Sequence, residues 1–140
     1  MSKILYTGGS FDILHYGHIN FLKKCHKICK NVIVSLNTDD FISTYKSPPV
    51  MSYQERELSL LECKFVKSVI PNTFGSDSKP TILSVNPDII AVGDDWCHKN
   101  YYEQMGFTQE WLDDHDITLI YIPYTKGIST SEIKRRINDQ

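Results

Sequence analysis

The 140-residue chain has no apolar run near the roughly 18 residues that span a bilayer, and its opening stretch is too short in apolar residues for a secretory signal. A membrane protein is therefore not expected, and a cytoplasmic one is. Paired Cys-x-x-Cys spacing is also missing: Cys25, Cys29, Cys63 and Cys97 are isolated or four apart, so they read as reduced thiols that fill the core. Cys25 and Cys29 flank His26, but they share a helical face with Phe21, Leu22 and Ile28, and no metal ligand is assigned among them. Charge of one sign is not in excess. With 15 Lys and Arg against 17 Asp and Glu, mixed along the chain, neither nucleic acid nor an anionic membrane is expected as the main partner, and any basic site must be local. There is no repeat, low-complexity tract or linker rich in Gly, Ser and Pro, so residues 1–140 are expected to form a single domain.

What the chain does contain is an alternation of strand-like and helix-like stretches. Aliphatic runs at Lys3 to Tyr6, Val32 to Leu36, Val66 to Ile70, Asp88 to Val92 and Thr118 to Ile122 predict strands, several apolar on both faces. Helical patterns are expected at about Gly17 to Cys29, Ser52 to Glu62, Lys79 to Ser84, Tyr101 to His115 and Ser129 to Asn138. Ser52 with Glu55 has the form of a capping box, and Pro80 suits a first helical turn. The expected fold is α/β: a Rossmann-like, doubly wound, five-stranded parallel sheet. In such sheets ligands bind beyond the carboxyl ends of the strands, which places Gly8 to His18, Gly93 to Trp96 and Tyr124 to Thr130 around one crevice.

The first of these loops is the richest in chemistry. Thr7, Gly8, Gly9, Ser10 and Phe11 lead into Asp12, His15, Gly17 and His18, with Gly8 and Gly9 bare enough for a phosphate to approach the backbone. The first helix then offers free amides, and His15 and His18 can both donate to the same phosphate, with Gly17 leaving room between them. A plain tight turn with ordinary polar histidines would have the same composition. The match near the other end, Gly127, Ile128, Ser129 and Thr130 opening the last helix, supplies a second hydroxyl-rich cradle and points to one polyphosphate held between the two.

Together these motifs resemble the H-x-G-H nucleotidyltransferases, and within them the glycerol-3-phosphate cytidylyltransferases. The likeness covers almost the whole chain: Gly9 to His18, the helix start Ser52-Tyr53-Gln54-Glu55-Arg56, the loop Gly93-Asp94-Asp95-Trp96, and Thr125-Lys126-Gly127-Ile128-Ser129-Thr130. The resemblance implies magnesium-dependent transfer of a cytidylyl group from CTP to a phosphorylated small alcohol, glycerol 3-phosphate being favoured, and commonly a homodimer. It also assigns roles. His15 and His18 stabilise charge on the reacting phosphorus, Lys46 closes over the phosphates, and Arg56 clamps phosphate from its helix start. Thr7, Gly8, Gly9, Ser10, Phe11, Gly17, Asp94, Thr125, Lys126, Gly127, Ile128, Ser129 and Thr130 are expected at the nucleotide; Asp12, Lys64, Asp95 and Trp96 are expected at the acceptor. Three positions depart from the pattern. Tyr124 stands where the family usually carries an Arg and Lys126 where it carries a Glu, from which Lys126 is expected to supply the displaced charge; Lys64 replaces a second family Arg. The Tyr45-to-Val50 segment is as similar to the heptose-phosphate adenylyltransferases, which form the alternative reading, alongside a FAD-forming enzyme or a module that binds nucleotide without turnover.

Overall fold

The computed structural model describes residues 2–94 and 100–140, so Asp95, Trp96 and Cys97 lie outside the described residues. Five parallel strands, β1 (Leu5–Gly9), β2 (Val32–Asn37), β3 (Ser68–Asn72), β4 (Ile89–Gly93) and β5 (Thr118–Ile122), form one sheet in the order β3-β2-β1-β4-β5. Helices α1 (Tyr16–Ile28), α2 (Asp39–Ser43), α3 (Tyr53–Leu61), α4 (Lys79–Val85), α5 (Tyr101–Met105), α6 (Gln109–Asp114) and α7 (Thr130–Asn138) complete the described elements. The chain runs outward from β1 to β3 and then returns to β4 on the other side of β1. The switch point therefore lies between β1 and β4, where Leu5 pairs with Ile89 and Tyr6 with Ile90.

The alternation of a strand's side chains divides the core into two layers. Leu5, Val34, Leu36 and Ala91 pack with Phe21, Leu22 and Cys25 of α1 and Leu60 of α3. Tyr6, Ile90 and Val92 pack on the opposite face with Ile82 of α4, Tyr101 of α5 and Leu112 of α6. Helices thus cover both faces, as expected for a doubly wound Rossmann-like sheet. Cys25, Cys29 and Cys63 are buried free thiols, and burial pushes the Cys25 thiol up to about 12.

Several elements differ from the expected ones for local reasons. Strand β1 starts two residues later than expected and takes in the two glycines, because Gly8 pairs with Ser35 and Gly9 with Leu36; these glycines end a strand and are not part of the loop. Strand β3 is displaced in the same direction and includes Pro71, tolerable because β3 is an edge strand. The expected helix from Tyr101 to His115 is two helices. Gly106 turns left-handed at φ 76°, its amide bonds the carbonyl of Tyr102, and the Thr108 hydroxyl caps a new start at the Trp111 amide. Helix α2 escaped the sequence reading because five residues carry no periodicity; a Thr38 cap on the Phe41 amide defines it. The Ser52 and Glu55 capping box forms as expected, Glu55 bonding back to the Ser52 amide at 2.9 Å.

Candidate active site

A crevice of about 620 Å³ opens at the carboxyl ends of the strands. It is lined by Thr7, Gly8, Gly9 and Ser10 from β1 and its turn, by Gly93 from β4, by Tyr124, and by Thr130, Ser131 and Lys134 from α7.

The histidines are placed by backbone hydrogen bonds. His15 stands at the N-cap of α1 with its Nδ1 accepting the Gly17 amide at 3.0 Å, and His18 Nδ1 accepts the His15 amide at 3.3 Å. This is a capping box made from two imidazoles. A ring nitrogen that accepts an amide hydrogen carries no proton of its own, so each neutral ring bears its hydrogen on Nε2. The rings stack with centroids 3.7 Å apart at 23°. Burial lowers the pKa of both; His18 is lowered to about 3, first by burial and then by the neighbouring His15, with Asp12 acting in the opposite direction. At neutral pH the pair is therefore uncharged, two N–H donors on one stack. His15 Nε2 is buried and has no hydrogen-bond partner among the described residues, an arrangement that a bound acceptor atom would complete.

The surrounding turn is built to hold that stack. Phe11 and Ile13 both lie in the left-handed region, at φ 49° and 51°, unusual for large side chains and of the kind stored at functional sites. Phe11 packs against the His18 ring at 5.3 Å and over Gly9, where a Cβ would come within 2.9 Å of its ring. At Gly17 a Cβ would meet the His15 ring at 2.9 Å and Ile128 at 3.1 Å, so the glycine lets the imidazole lie on the helix start.

One residue expected to touch substrate is instead a fastener, and a second fastens the turn while it lines the crevice. Arg56 is fully buried, and its guanidinium donates to the carbonyls of Met51 at 3.1 Å, Ser10 at 2.9 Å and Asn37 at 2.9 Å, and to the Asp39 carboxylate at 2.5 Å. It cannot reach a phosphate. It ties the β1 turn, the end of β2, α2 and the start of α3 into one unit. Asp12, expected at the acceptor, lines the crevice, and it also accepts the Val50 amide at 2.7 Å and the Met51 amide at 2.9 Å, one on each oxygen, anchoring the segment that carries Lys46. Lys64, like Arg56, is a correction. It precedes β3, hence sits at the amino-terminal end of the sheet, away from the crevice, with its ammonium 5.3 Å from the Phe65 ring centre.

The second turn holds fewer of the expected contacts. The Asp94 carboxylate accepts the Tyr124 amide at 3.0 Å, and the Tyr124 ring lies against Gly93, where a Cβ would come within 2.3 Å. The Thr125 hydroxyl accepts from Asn20 at 2.7 Å, and Ser129 caps α7 at the Glu132 amide. Gly127 is left-handed at φ 84°. With Ile128, Ser129 and Glu132 it edges a shallow depression beside the crevice. Lys126 is exposed and is not among the residues lining the crevice. The Thr130 hydroxyl donates to the Asp12 carbonyl at 2.7 Å and so joins the second turn to the first.

The sequence reading missed the opposite wall. Asn72 donates to the Gly75 carbonyl and to Asn37 Oδ1, both at 3.1 Å; Asn37 in turn donates to the Ser10 hydroxyl at 3.2 Å. Because the Gly75 carbonyl can only accept, the direction of this chain is set throughout, and the Ser10 proton is left free for another acceptor. Both asparagines sit at the carboxyl ends of edge-side strands, a position that could have flagged them. Lys134, four residues past Thr130 and on its face of α7, was legible from helical spacing.

A family model described as cytidylyltransferase-like matches residues 6–136. The chain is 34% identical to the glycerol-3-phosphate cytidylyltransferase of Bacillus subtilis, over 98% of both chains. It is 33% identical to the bifunctional protein HldE of Campylobacter jejuni, over 99% of this chain and 28% of that one. Among solved structures, the lipopolysaccharide core biosynthesis protein of Thermoplasma volcanium superposes with a TM-score of 0.74 at 27% identity, over 91% of this chain and 100% of that one.

Proposed function

Because the chain belongs to the cytidylyltransferase-like family, we propose that it transfers a cytidylyl group from CTP to a phosphorylated small alcohol of the glycerol 3-phosphate kind. The observation that carries this is the stacked His15 and His18 pair, neutral, with tautomers set by the helix backbone, the His15 Nε2 unpartnered among the described residues and His18 lining the crevice. In the reaction an oxygen of the acceptor phosphate attacks the α-phosphorus of CTP. The bond from that phosphorus to the oxygen bridging to the β-phosphate breaks, and pyrophosphate leaves with the electron pair. The nucleophile is already ionised, so no strong base is required. The protein's part is alignment and stabilisation of charge on the crowded phosphorus. Neutral N–H donors suit this: they need no proton transfer, and held by the backbone they need no reorganisation.

Magnesium accompanies this chemistry in the family that the sequence resembles. The described residues do not gather a cage for it: no group of three or more His, Cys, Asp or Glu is placed to hold a metal, and both oxygens of Asp12 are occupied by amides. A magnesium ion carried on the nucleotide's own phosphates is compatible with that donor set. The wall made by Ser10, Asn37, Tyr45 and Asn72 is uncharged and hydrogen-bonding, which suits the hydroxyls of a polyol phosphate. A second reading, adenylyl transfer of the kind performed on sugar phosphates, is favoured by the similarity to HldE over nearly the whole chain.

The test is pyrophosphate release from CTP or ATP, each with glycerol 3-phosphate or a heptose phosphate. Release with CTP and glycerol 3-phosphate is expected, and His15→Ala and His18→Ala should each lower the rate about a hundredfold. Release only with ATP selects the second reading. Near-normal rates in either variant would remove that histidine from the chemistry.

A further inference from the structure

A nucleoside triphosphate brings up to four negative charges into the crevice, and the cations available to meet them are few. Among the described residues lining it, Lys46 and Lys134 are the two lysines, and no arginine is present. Arg56 is buried in carbonyl contacts, and the position before Thr125 is held by a tyrosine lying on Gly93. The cations of α7 are divided by face. Arg135 pairs with Glu132 and with Asp139 at 2.7 Å, and Arg136 reaches Glu132 and the Gly127 carbonyl. These arginines are tied to their own helix and turn. Among the described residues Lys134 takes no part in the ion pairs of α7, and it lines the crevice with Thr130 and Ser131, which share its face. The start of that face is fixed against the histidine turn by the Thr130 bond to the Asp12 carbonyl.

We propose that Lys134 is the fixed cation that holds the terminal phosphates of the nucleotide, and that Lys126 does not have this role. The inference rests on the reading of the crevice as a nucleoside triphosphate site, and it assigns the β- and γ-phosphates to α7. Its Lys stands on the second turn of a helix whose start is tied to the histidine turn by the Thr130 bond, so its reach is set from that attachment. Lys126 stands on an exposed turn beside a left-handed glycine, outside the lining. An ammonium also suits the task, since it acts as a point charge on either of two phosphates without a required geometry.

Calorimetric binding of CTP and CMP to the full chain, with the ATP and AMP pair in parallel, tests this without turnover. Lys134→Gln should weaken triphosphate binding by about tenfold or more, the scale of one charge-assisted contact, and leave the monophosphate within about twofold. Lys126→Gln should change neither by more than about twofold. The loss in Lys134→Gln should shrink as salt is raised, and Tyr124→Arg added to it should recover part of the affinity. Equal weakening of triphosphate and monophosphate would mean a structural role and overturns the proposal, as does unchanged CTP and ATP binding. A parent protein that binds ATP in preference to CTP rejects the choice of base and leaves Lys134 in place. One that binds no triphosphate removes the site reading and this inference together.

Discussion

The turn from Ser10 to His18 and the turn from Tyr124 to Thr130 face one another across the crevice, and they are held in different ways. In the first, the fasteners are buried: Arg56 grips the Ser10 carbonyl, Asp12 takes two backbone amides, and the histidine rings cap their own helix. In the second, single bonds near the surface do the same work, Asp94 to the Tyr124 amide and Asn20 to Thr125. Groups that must meet a reacting phosphorus at a set distance and angle are locked by backbone and a buried fork. Charges that need only be near an anion can stand on longer, freer side chains.

Removing the buried fork is the most damaging way to break the comparison. Arg56→Leu would take the guanidinium's donors from three carbonyls and leave the half-exposed Asp39 carboxylate with only the Tyr53 amide, at a cost of about 3 kcal/mol. Urea unfolding at pH 7 measures it. Arg56→Lys should also be costly, because an ammonium cannot span donors that point to Met51, Ser10, Asn37 and Asp39 at once. If Arg56→Lys kept full stability and lost only CTP affinity, the residue would be a phosphate clamp after all.

The histidine stack sharpens the comparison through pH. His18 has its folded pKa lowered from 6.5 to about 3, so the unfolded chain binds a proton that the folded one refuses. The stability tied to this is fully present above about pH 6.5 and is lost as pH falls from there toward 3, at about 1.4 kcal/mol per pH unit. Between pH 7.5 and pH 5 the parent should therefore lose about 2 kcal/mol that His18→Gln does not lose. In the free protein the His18 ring signals should stay unchanged by NMR from pH 8 to pH 5. A midpoint near 6.5 would mean that the ring is solvated and the cap is not formed.

How much of this was legible depended on whether the signal was local. The alternating pattern and the paired motifs located the sheet and the crevice, because strand periodicity and glycine-rich turns are written in consecutive residues. The Ser52 box is likewise a four-residue signal, and it forms. The role of Arg56 was not legible, since a cation at a helix start reads the same whether it faces a phosphate or three carbonyls from distant segments. Asp12 is alike in this: its partners Val50 and Met51 lie nearly forty residues on. The wall of Asn37 and Asn72 comes from strands that become neighbours only through the sheet order. Lys64 was misplaced because family position says nothing of which end of the sheet a turn occupies.

The smallest effect should come from comparing the two carboxylates that anchor the turns. Asp12 is buried and each oxygen takes a backbone amide, at 2.7 and 2.9 Å. Asp12→Asn turns one of those oxygens into a carboxamide NH2 facing a donor, so one part-buried backbone amide loses its acceptor, at about 1–3 kcal/mol. Among the described residues Asp94 makes one such bond, at 3.0 Å and open to solvent. Asp94→Asn keeps an oxygen that can accept the Tyr124 amide, and water can replace what is lost, so the cost should stay below about 1 kcal/mol. The two measured side by side in urea decide whether burial sets the difference. If Asp94→Asn destabilises as much as Asp12→Asn, the second turn is locked as firmly as the first, and its side chains are as constrained as the histidines. If Asp94→Asn leaves stability alone but weakens CTP binding well beyond twofold, its carboxylate touches the nucleotide as well as the turn.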